Sequence, residues 1–299
     1  MNNVPQAFSE QTFQNFLNSC ENFLFDCDGV VWNWPSEIPG SVEFINRVKQ
    51  MGKKCFFVTN NSTRTRETFS QQLKDFGVKD ITKDEILSTA WVLAEYLKSQ
   101  NFNGKVYLVG NPAMVQELDR LNIKHNGLEE HKDYVFNSTN YNEIELDPTI
   151  KCVSVGIDYE FTFQKMIYAS SYLKRNDCIF VATNDDSSLP VPIPNIAIPD
   201  AGPILSSIEK TTGKKALVIG KPRSTMWEIL CKVHGLDATK TCMIGDRLDT
   251  DILFAFNAGI EKSVLVLSGI TKESDMQNQD RKKLPMFYAD SLGDLLKFI

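Results

Sequence analysis

The chain has 299 residues, 42% hydrophobic and 23% charged, enough to bury a sizeable core as one large or two ordinary domains. Its 32 basic and 38 acidic residues leave a net charge of −6, which argues against a nucleic-acid or anionic-membrane partner. No apolar run reaches the length of a membrane span, and residues 1–10 lack the basic and apolar regions of a secretion signal, so a cytoplasmic location is expected.

Seven cysteines, at 20, 27, 55, 152, 178, 231 and 242, are dispersed without a CxxC pair, the pattern of packed thiols in a reducing compartment. The three histidines, at 125, 131 and 234, have no zinc-ligand spacing.

Ser9 is placed to cap a short helix over 9–18, with Phe13, Phe16 and Leu17 at helical spacing. A buried strand over 23–25 then stops at Asp26-Cys27-Asp28-Gly29. If the extended chain persists, the two carboxylates share a face, and the glycine permits a sharp turn after them. Like charges this close need a cation, a proton or strong donors. Tryptophan and proline make 32–40 a loop, in which Trp32 and Trp34 either line a substrate entrance or are buried. Ser41 is expected to cap a helix to Gln50, with Gly52 just past its end. A strand over 54–58 ends in Thr59-Asn60-Asn61-Ser62-Thr63, and a helix over 65–76 closes at Gly77. The alternation is that of a parallel sheet, whose ligands sit at the carboxyl ends of its strands.

Residues 83–99 read as one amphipathic helix. A second series follows, with strands over 105–109, 134–136, 152–156 and 178–183 and helices over 112–121 and 161–173. It is expected to form a separate α/β layer. Five prolines make 187–203 irregular. After a helix near 204–212 the first pattern resumes. A strand over 216–219 ends in Gly220-Lys221-Pro222, and one over 241–244 ends in Gly245-Asp246-Arg247-Leu248-Asp249-Thr250-Asp251. The expected division is a core of 1–99 and 211–299 with an inserted domain of 100–210.

Four strand ends thus carry Asp26/Asp28, Thr59/Asn60/Asn61, Lys221 and Asp246/Asp249/Asp251, and one parallel sheet would gather them at one edge. Mg²⁺ suits such a set, because it takes carboxylate oxygens, keeps waters and accepts a phosphate oxygen. Lys221 then opposes a substrate phosphate, with Thr59 and Asn60 as neutral donors. One carboxylate can attack a phosphoryl group to give an aspartyl-phosphate, while a second protonates the leaving alcohol and then deprotonates water. Cys27 reads as a core thiol more readily than as a redox switch, and Asp249 as a solvated residue at a helix start.

These four motifs, Asp26-Cys27-Asp28-Gly29, Thr59-Asn60-Asn61-Ser62, Gly220-Lys221-Pro222 and Gly245-Asp246-Arg247-Leu248-Asp249-Thr250-Asp251-Ile252, resemble those of the haloacid-dehalogenase-like phosphatases in order and spacing. The inserted α/β block resembles their larger, C2-type cap. The resemblance implies a Rossmann-like parallel-sheet core with an inserted α/β cap domain. It covers nearly the whole chain and is strongest to the phosphoglycolate phosphatase, pyridoxal phosphatase (chronophin) and 4-nitrophenylphosphatase group. It extends to Val155-Gly156-Ile157-Asp158, Ala182-Thr183-Asn184-Asp185-Asp186 and Phe287-Tyr288-Ala289-Asp290-Ser291.

By that resemblance Asp26 is the nucleophile and Asp28 the acid/base. Mg²⁺ is held by the Asp26 side chain, the Asp28 backbone carbonyl and Asp246, with Asp251 and Asp249 orienting ligands and waters from behind. Thr59, Asn60, Asn61 and Lys221 hold the phosphate. The resemblance also implies a homodimer paired through the caps and a small phosphorylated metabolite as substrate. Pyridoxal phosphatase carries a histidine before the proline of a cap loop, where this chain has Leu189-Pro190, as in the phosphoglycolate enzymes. The expected substrate is therefore 2-phosphoglycolate, with pyridoxal 5′-phosphate or a broad 4-nitrophenylphosphatase activity as alternatives. Asp200 departs from the family's Gly-Ala-Gly-Ser run and would add negative charge near the phosphate if it faced inward. Phosphotransfer and phosphoprotein hydrolysis are competing readings on the same scaffold.

Overall fold

The structure, a computed structural model, describes residues 5–131, 144–189, 195–277 and 279–299. The strand expected over 134–136 and Pro190 lie outside them. The strands in chain order begin with β1 (Gln6–Ala7), β2 (Asn22–Phe25), β3 (Trp32–Asn33), β4 (Ser36–Glu37), β5 (Lys54–Thr59) and β6 (Ile86–Ser88). They continue with β7 (Lys105–Val109), β8 (His125–Asn126), β9 (Ile150–Val155), β10 (Ile179–Ala182) and β11 (Leu217–Val218), then β12 (Thr241–Gly245), β13 (Lys262–Val266) and β14 (Phe287–Ala289).

Two compact units result. The first is Met1–Thr59, Arg66–Ser88 and Lys221–Ile299; the second is Asn60–Thr65 and Thr89–Gly220. The first holds a parallel sheet in the order β1-β14-β13-β12-β2-β5-β6, and the second one in the order β11-β10-β9-β7-β8. This is the expected α/β class with a Rossmann-like core. β2 lies mid-sheet and is buried throughout, which is why Phe23, Leu24 and Phe25 follow one another without polar alternation.

In the first unit, α1 (Glu10–Ser19) starts at a reciprocal cap. The Thr12 N–H donates to Ser9 Oγ at 3.2 Å, and the Ser9 N–H donates to Thr12 Oγ1 at 2.9 Å. Its apolar face enters an aromatic cluster in which the Phe13 ring lies 5.2 Å from Phe8 and 5.3 Å from Phe298. α2 (Ser41–Gln50) begins differently from expectation. Gly40 takes the N-cap position, and Ser41 Oγ instead donates to the Val31 carbonyl at 2.9 Å. α3 (Arg66–Asp75) follows β5. The loop expected over 32–40 contains the β3–β4 hairpin.

The single helix expected over 83–99 is a strand and a helix. Ile86 and Leu87 pair with Phe57 and Val58 as part of β6, and α4 (Thr89–Ser99) begins afterwards. A three-residue buried strand has no periodicity to set it apart from the apolar side of a helix. The boundaries of the insert therefore fall at Ser88/Thr89 and Gly220/Lys221, not at 99/100 and 210/211. At one end, α4 packs on α5 (Pro112–Arg120), where the Arg120 guanidinium joins Glu95 and Glu117 at 2.8 and 2.7 Å. At the other, β11 pairs with β10.

Elsewhere in the second unit, Thr162 caps α6 (Phe163–Leu173), and a fully buried Lys165 ammonium meets Asp158 at 2.8 Å. α7 (Ala201–Thr212) starts three residues before the expected helix because Asp200 caps it, accepting from the Ala201 N–H and from Asn184 Nδ2. Pro203 then stands in the first turn, where its missing N–H loses no intrahelical bond. α8 (Thr225–His234) and α9 (Leu253–Asn257) return to the first unit. The seven cysteines are free thiols, buried except for half-exposed Cys231. No helix among the described residues is long and apolar enough to cross a membrane.

The aromatic cluster around α1 gives the first expectation. Phe13→Ala should cost about 3–5 kcal/mol in a denaturant titration, as for other buried phenylalanines. A loss below about 1 kcal/mol would show that the cluster does not anchor the helix.

Candidate active site

The strands β12, β2 and β5 are parallel neighbours, so their carboxyl ends share one edge. Asp246 follows β12, Asp26 follows β2 and Thr59 closes β5. The ladder continues one step past β2, since the Asp26 N–H donates to the Ile244 carbonyl at 2.9 Å. Between these ends sits the Lys221 ammonium, 2% exposed. It donates to Asp26 Oδ1 at 2.7 Å, to Asp251 Oδ1 at 2.7 Å and to the Val58 carbonyl at 2.9 Å. The sequence placed Lys221 at the end of a core strand. Instead β11 belongs to the second sheet, and Lys221 is the first residue of the chain's return to the first unit.

A tight turn follows Asp26. The Cys27 carbonyl accepts from the Val31 and Trp32 N–H groups at 2.9 and 3.2 Å, and the Gly29 N–H donates to the Trp32 carbonyl at 2.8 Å. Gly29 has φ +80°, and a Cβ there would lie 2.5 Å from Asp246 Oδ2; one on Gly269 would lie 2.1 Å from the same atom. Asp246 is thus cradled between two glycines. Its Oδ2 accepts from the Ile270 N–H at 2.8 Å, while Asp251 Oδ2 accepts from the Arg247 N–H at 3.1 Å.

Asp26, Asp246 and Asp251 are all buried, and each offers an oxygen within 4.8 Å of the others. Burial first, then the Asp251 charge, push the Asp26 carboxyl well above the usual range despite Lys221. The same two causes push Asp246 up to about 7. Burial alone would lower Lys221, but the Asp251 and Asp26 carboxylates outweigh it and hold the ammonium charged. One ammonium does not balance three carboxylates. Asp26 Oδ2 and Asp246 Oδ1 accept no hydrogen bond from the described residues, whereas both Asp251 oxygens are engaged. A donor set of hard, anionic oxygens with a charge deficit fits a small divalent cation.

The other expected residues are distributed as follows. Thr59 is buried at the end of β5. Asn60 and Asn61 are counted with the second unit. There Asn60 Nδ2 donates to Asp186 Oδ2 at 2.9 Å, and Asn61 Oδ1 accepts from the Thr63 N–H and Oγ1 at 2.8 Å each. Asp249 is not drawn into the acid cluster. Its carboxylate is 57% exposed and pairs with the Arg247 guanidinium at 3.0 Å, bonds that outweigh partial burial and hold it below the usual range. Asp200 spends its carboxylate on capping α7. Leu189 is half-buried, and its N–H donates to the Ile198 carbonyl at 2.9 Å. Burial, then the charges of Asp26 and Asp28, push the Cys27 thiol far up, as suits a core thiol.

Asp28 is half-buried, and its Oδ1 accepts the Trp32 indole N–H at 2.9 Å. Trp32 itself is buried, while Trp34 is exposed. The sequence had left Trp32 undecided between burial and a substrate entrance. Its spacing of four from Asp28, across a glycine turn, was the signal available.

A family model described as Haloacid dehalogenase-like hydrolase matches residues 23–124, and one described as HAD-hydrolase-like matches residues 218–295. Phosphoglycolate phosphatase 2 of Arabidopsis thaliana is 34% identical over 99% of this chain and 99% of that protein. Glycerol-3-phosphate phosphatase of Mus musculus is 32% identical over 94% of this chain and 91% of that protein. The crystal structure of a 4-nitrophenylphosphatase from Thermotoga maritima superposes with a TM-score of 0.79 at 28% identity, covering 94% of this chain and 98% of that one. The chain belongs to the haloacid dehalogenase-like hydrolases and, within them, to the phosphatases.

Proposed function

We propose that the chain hydrolyses small phosphate monoesters with the help of Mg²⁺, through an aspartyl-phosphate on Asp26. The observation that carries this reading is the buried set of Asp26, Asp246 and Asp251 around one ammonium at the carboxyl edge of the core sheet. Asp26, Asp246 and the Asp28 backbone carbonyl would hold the ion, with Asp251 behind them, and the ion would neutralise phosphoryl charge.

The chain's own groups divide the remaining work. A carboxylate oxygen of Asp26 attacks phosphorus; an Asp26 O–P bond forms as the ester P–O bond breaks. Asp28 gives its carboxyl proton to the departing alkoxide oxygen. As a carboxylate it then takes a proton from the water that cleaves the aspartyl-phosphate. Lys221 fixes one oxygen of Asp26 and offsets its charge, and Thr59, Asn60 and Asn61 supply donors to the phosphate.

The first candidate substrate is 2-phosphoglycolate. By the family resemblance Leu189 stands where pyridoxal phosphatase has a histidine, and an apolar side chain could not hydrogen-bond a pyridoxal ring. Relatives named for phosphoglycolate and glycerol 3-phosphate point to the same class of short alkyl esters. Phosphate release with Mg²⁺ from 2-phosphoglycolate, glycerol 3-phosphate, pyridoxal 5′-phosphate and 4-nitrophenyl phosphate tests this directly. A preference for a short alkyl ester is expected; a preference for pyridoxal 5′-phosphate would overturn the reading of Leu189. By the family resemblance the protein is a homodimer, and gel filtration as a monomer at micromolar concentration would contradict that.

Asp26→Asn should retain the fold and lower turnover by at least about a hundredfold, the least expected on removing a nucleophile. The acid cluster also predicts a pH dependence. Asp246 has a folded pKa of about 7, above its ordinary 3.8, so the stability it contributes is full at low pH and is lost as pH rises through about 7. In EDTA, wild type should therefore lose melting temperature relative to Asp246→Asn between about pH 4 and pH 8. Added Mg²⁺ should recover more at about pH 8 than at about pH 5, because it competes with the proton. Equal recovery at both would show that the cation binds elsewhere.

A further inference from the structure

A buried indole N–H needs an acceptor, and the one Trp32 uses is unusual. The ring is 1% exposed and packs between Phe69 and Phe76, with centroids at 6.3 and 6.0 Å. Its N–H meets neither a backbone carbonyl nor a hydroxyl but Oδ1 of Asp28, at 2.9 Å. The turn around Gly29 sets this reach. Both the Gly29 N–H and the Trp32 N–H bond across it, and a bridge joins residues 28 and 32. The ring is therefore fixed by packing and the carboxyl by the turn, so the bond between them has one geometry.

We infer that Trp32 is a positioning residue for proton transfer: its indole N–H holds Oδ1 of Asp28 and thereby sets the orientation from which the carboxyl gives its proton. The inference rests on the reading of Asp28 as the acid/base. A carboxyl free to rotate about its Cβ–Cγ bond presents either oxygen, and only one orientation points a proton along a given line. Tying one oxygen to a rigid donor removes that freedom before substrate arrives. As the ester P–O bond breaks, the Asp28 carboxyl proton moves to the alkoxide oxygen and Asp28 is left as the carboxylate, its Oδ1 still bonded to the indole.

Leaving groups separate this role from a structural one. An alkoxide needs the proton in order to depart, whereas 4-nitrophenolate leaves as a stable anion. Trp32→Phe keeps an aromatic ring against Phe69 and Phe76 and removes the N–H. In the full chain with Mg²⁺, its kcat/KM should fall at least about tenfold further on the best alkyl phosphate than on 4-nitrophenyl phosphate. Equal losses on the two esters, or no loss, would overturn the inference. Asp28→Asn is the control. If it shows the leaving-group bias and Trp32→Phe does not, only the positioning role fails. If Asp28→Asn shows no bias, the acid reading of Asp28 fails and the inference with it. Should Trp32→Phe fold poorly, the indole ¹⁵N–¹H signals of the four tryptophans decide. Asp28→Asn must move the Trp32 signal more than the other three, and an unmoved signal overturns the inference.

Discussion

The Lys221 ammonium is the interaction on which the site depends. It joins Asp26 and Asp251 and caps the carbonyl of Val58, in a place where burial alone would favour its neutral form. Without it, three acids within 4.8 Å could not share the same buried edge. With it, burial and the Asp251 charge still hold Asp26 and Asp246 above the ordinary carboxylate range. Buried ion pairs are weak contributors to stability, because desolvation offsets most of their attraction. An unbalanced set is worse still for stability. Three buried acids around one ammonium at the end of the core sheet form a set that could hold a metal ion.

The sheet meets that arrangement cheaply in chain length and dearly in sequence separation. Lys221 and Asp26 are 195 positions apart, yet Asp26 lies just beyond the carboxyl edge of β2 and Lys221 is where the chain re-enters the first unit. The chain leaves the first unit at the carboxyl ends of β5 and β6, and it returns at Lys221. Insertions placed in loops at that edge disturb no ladder hydrogen bond, and such loops are where folds of this kind carry function. Two glycines complete the fit. A side chain at Gly29 or Gly269 would occupy the place of the Asp246 carboxylate, so these positions are fixed by contact with the acid.

Much of this was legible in the sequence, and the exceptions have physical causes. Asp26 and Asp246 were legible because each directly follows a buried apolar strand, and Lys221 because Gly220-Lys221-Pro222 resembles a family motif. α1 was legible through its Ser9 cap. β6 was not, because three buried residues beside a helix have no period of their own. The same is true of β1 and the β3–β4 hairpin, each strand of which is two residues long. The edge of the insert was misjudged because α4 and β11 choose their partners by tertiary contact, α4 against α5 and β11 beside β10. Asp249 read from the sequence as a solvated residue at a helix start, and its exposed carboxylate pairs with the neighbouring Arg247 guanidinium. Asp200 looked like stray charge until the helix it caps was seen.

Asp26 and Asp28 show how far one residue of spacing can separate two identical side chains. The ladder runs through Asp26, whose N–H still bonds β12, and stops at Cys27, whose carbonyl turns to Val31 and Trp32. Asp26 is thereby held in the sheet, buried and fixed by an ammonium. Asp28 is carried into the turn, half-buried and fixed by an indole N–H. A cationic donor and a neutral donor give two carboxyls one residue apart different surroundings, in keeping with the two roles proposed for them. The difference in surroundings follows from where the β2 ladder ends, and Gly29, in the turn just after it, is also the residue that makes room for Asp246.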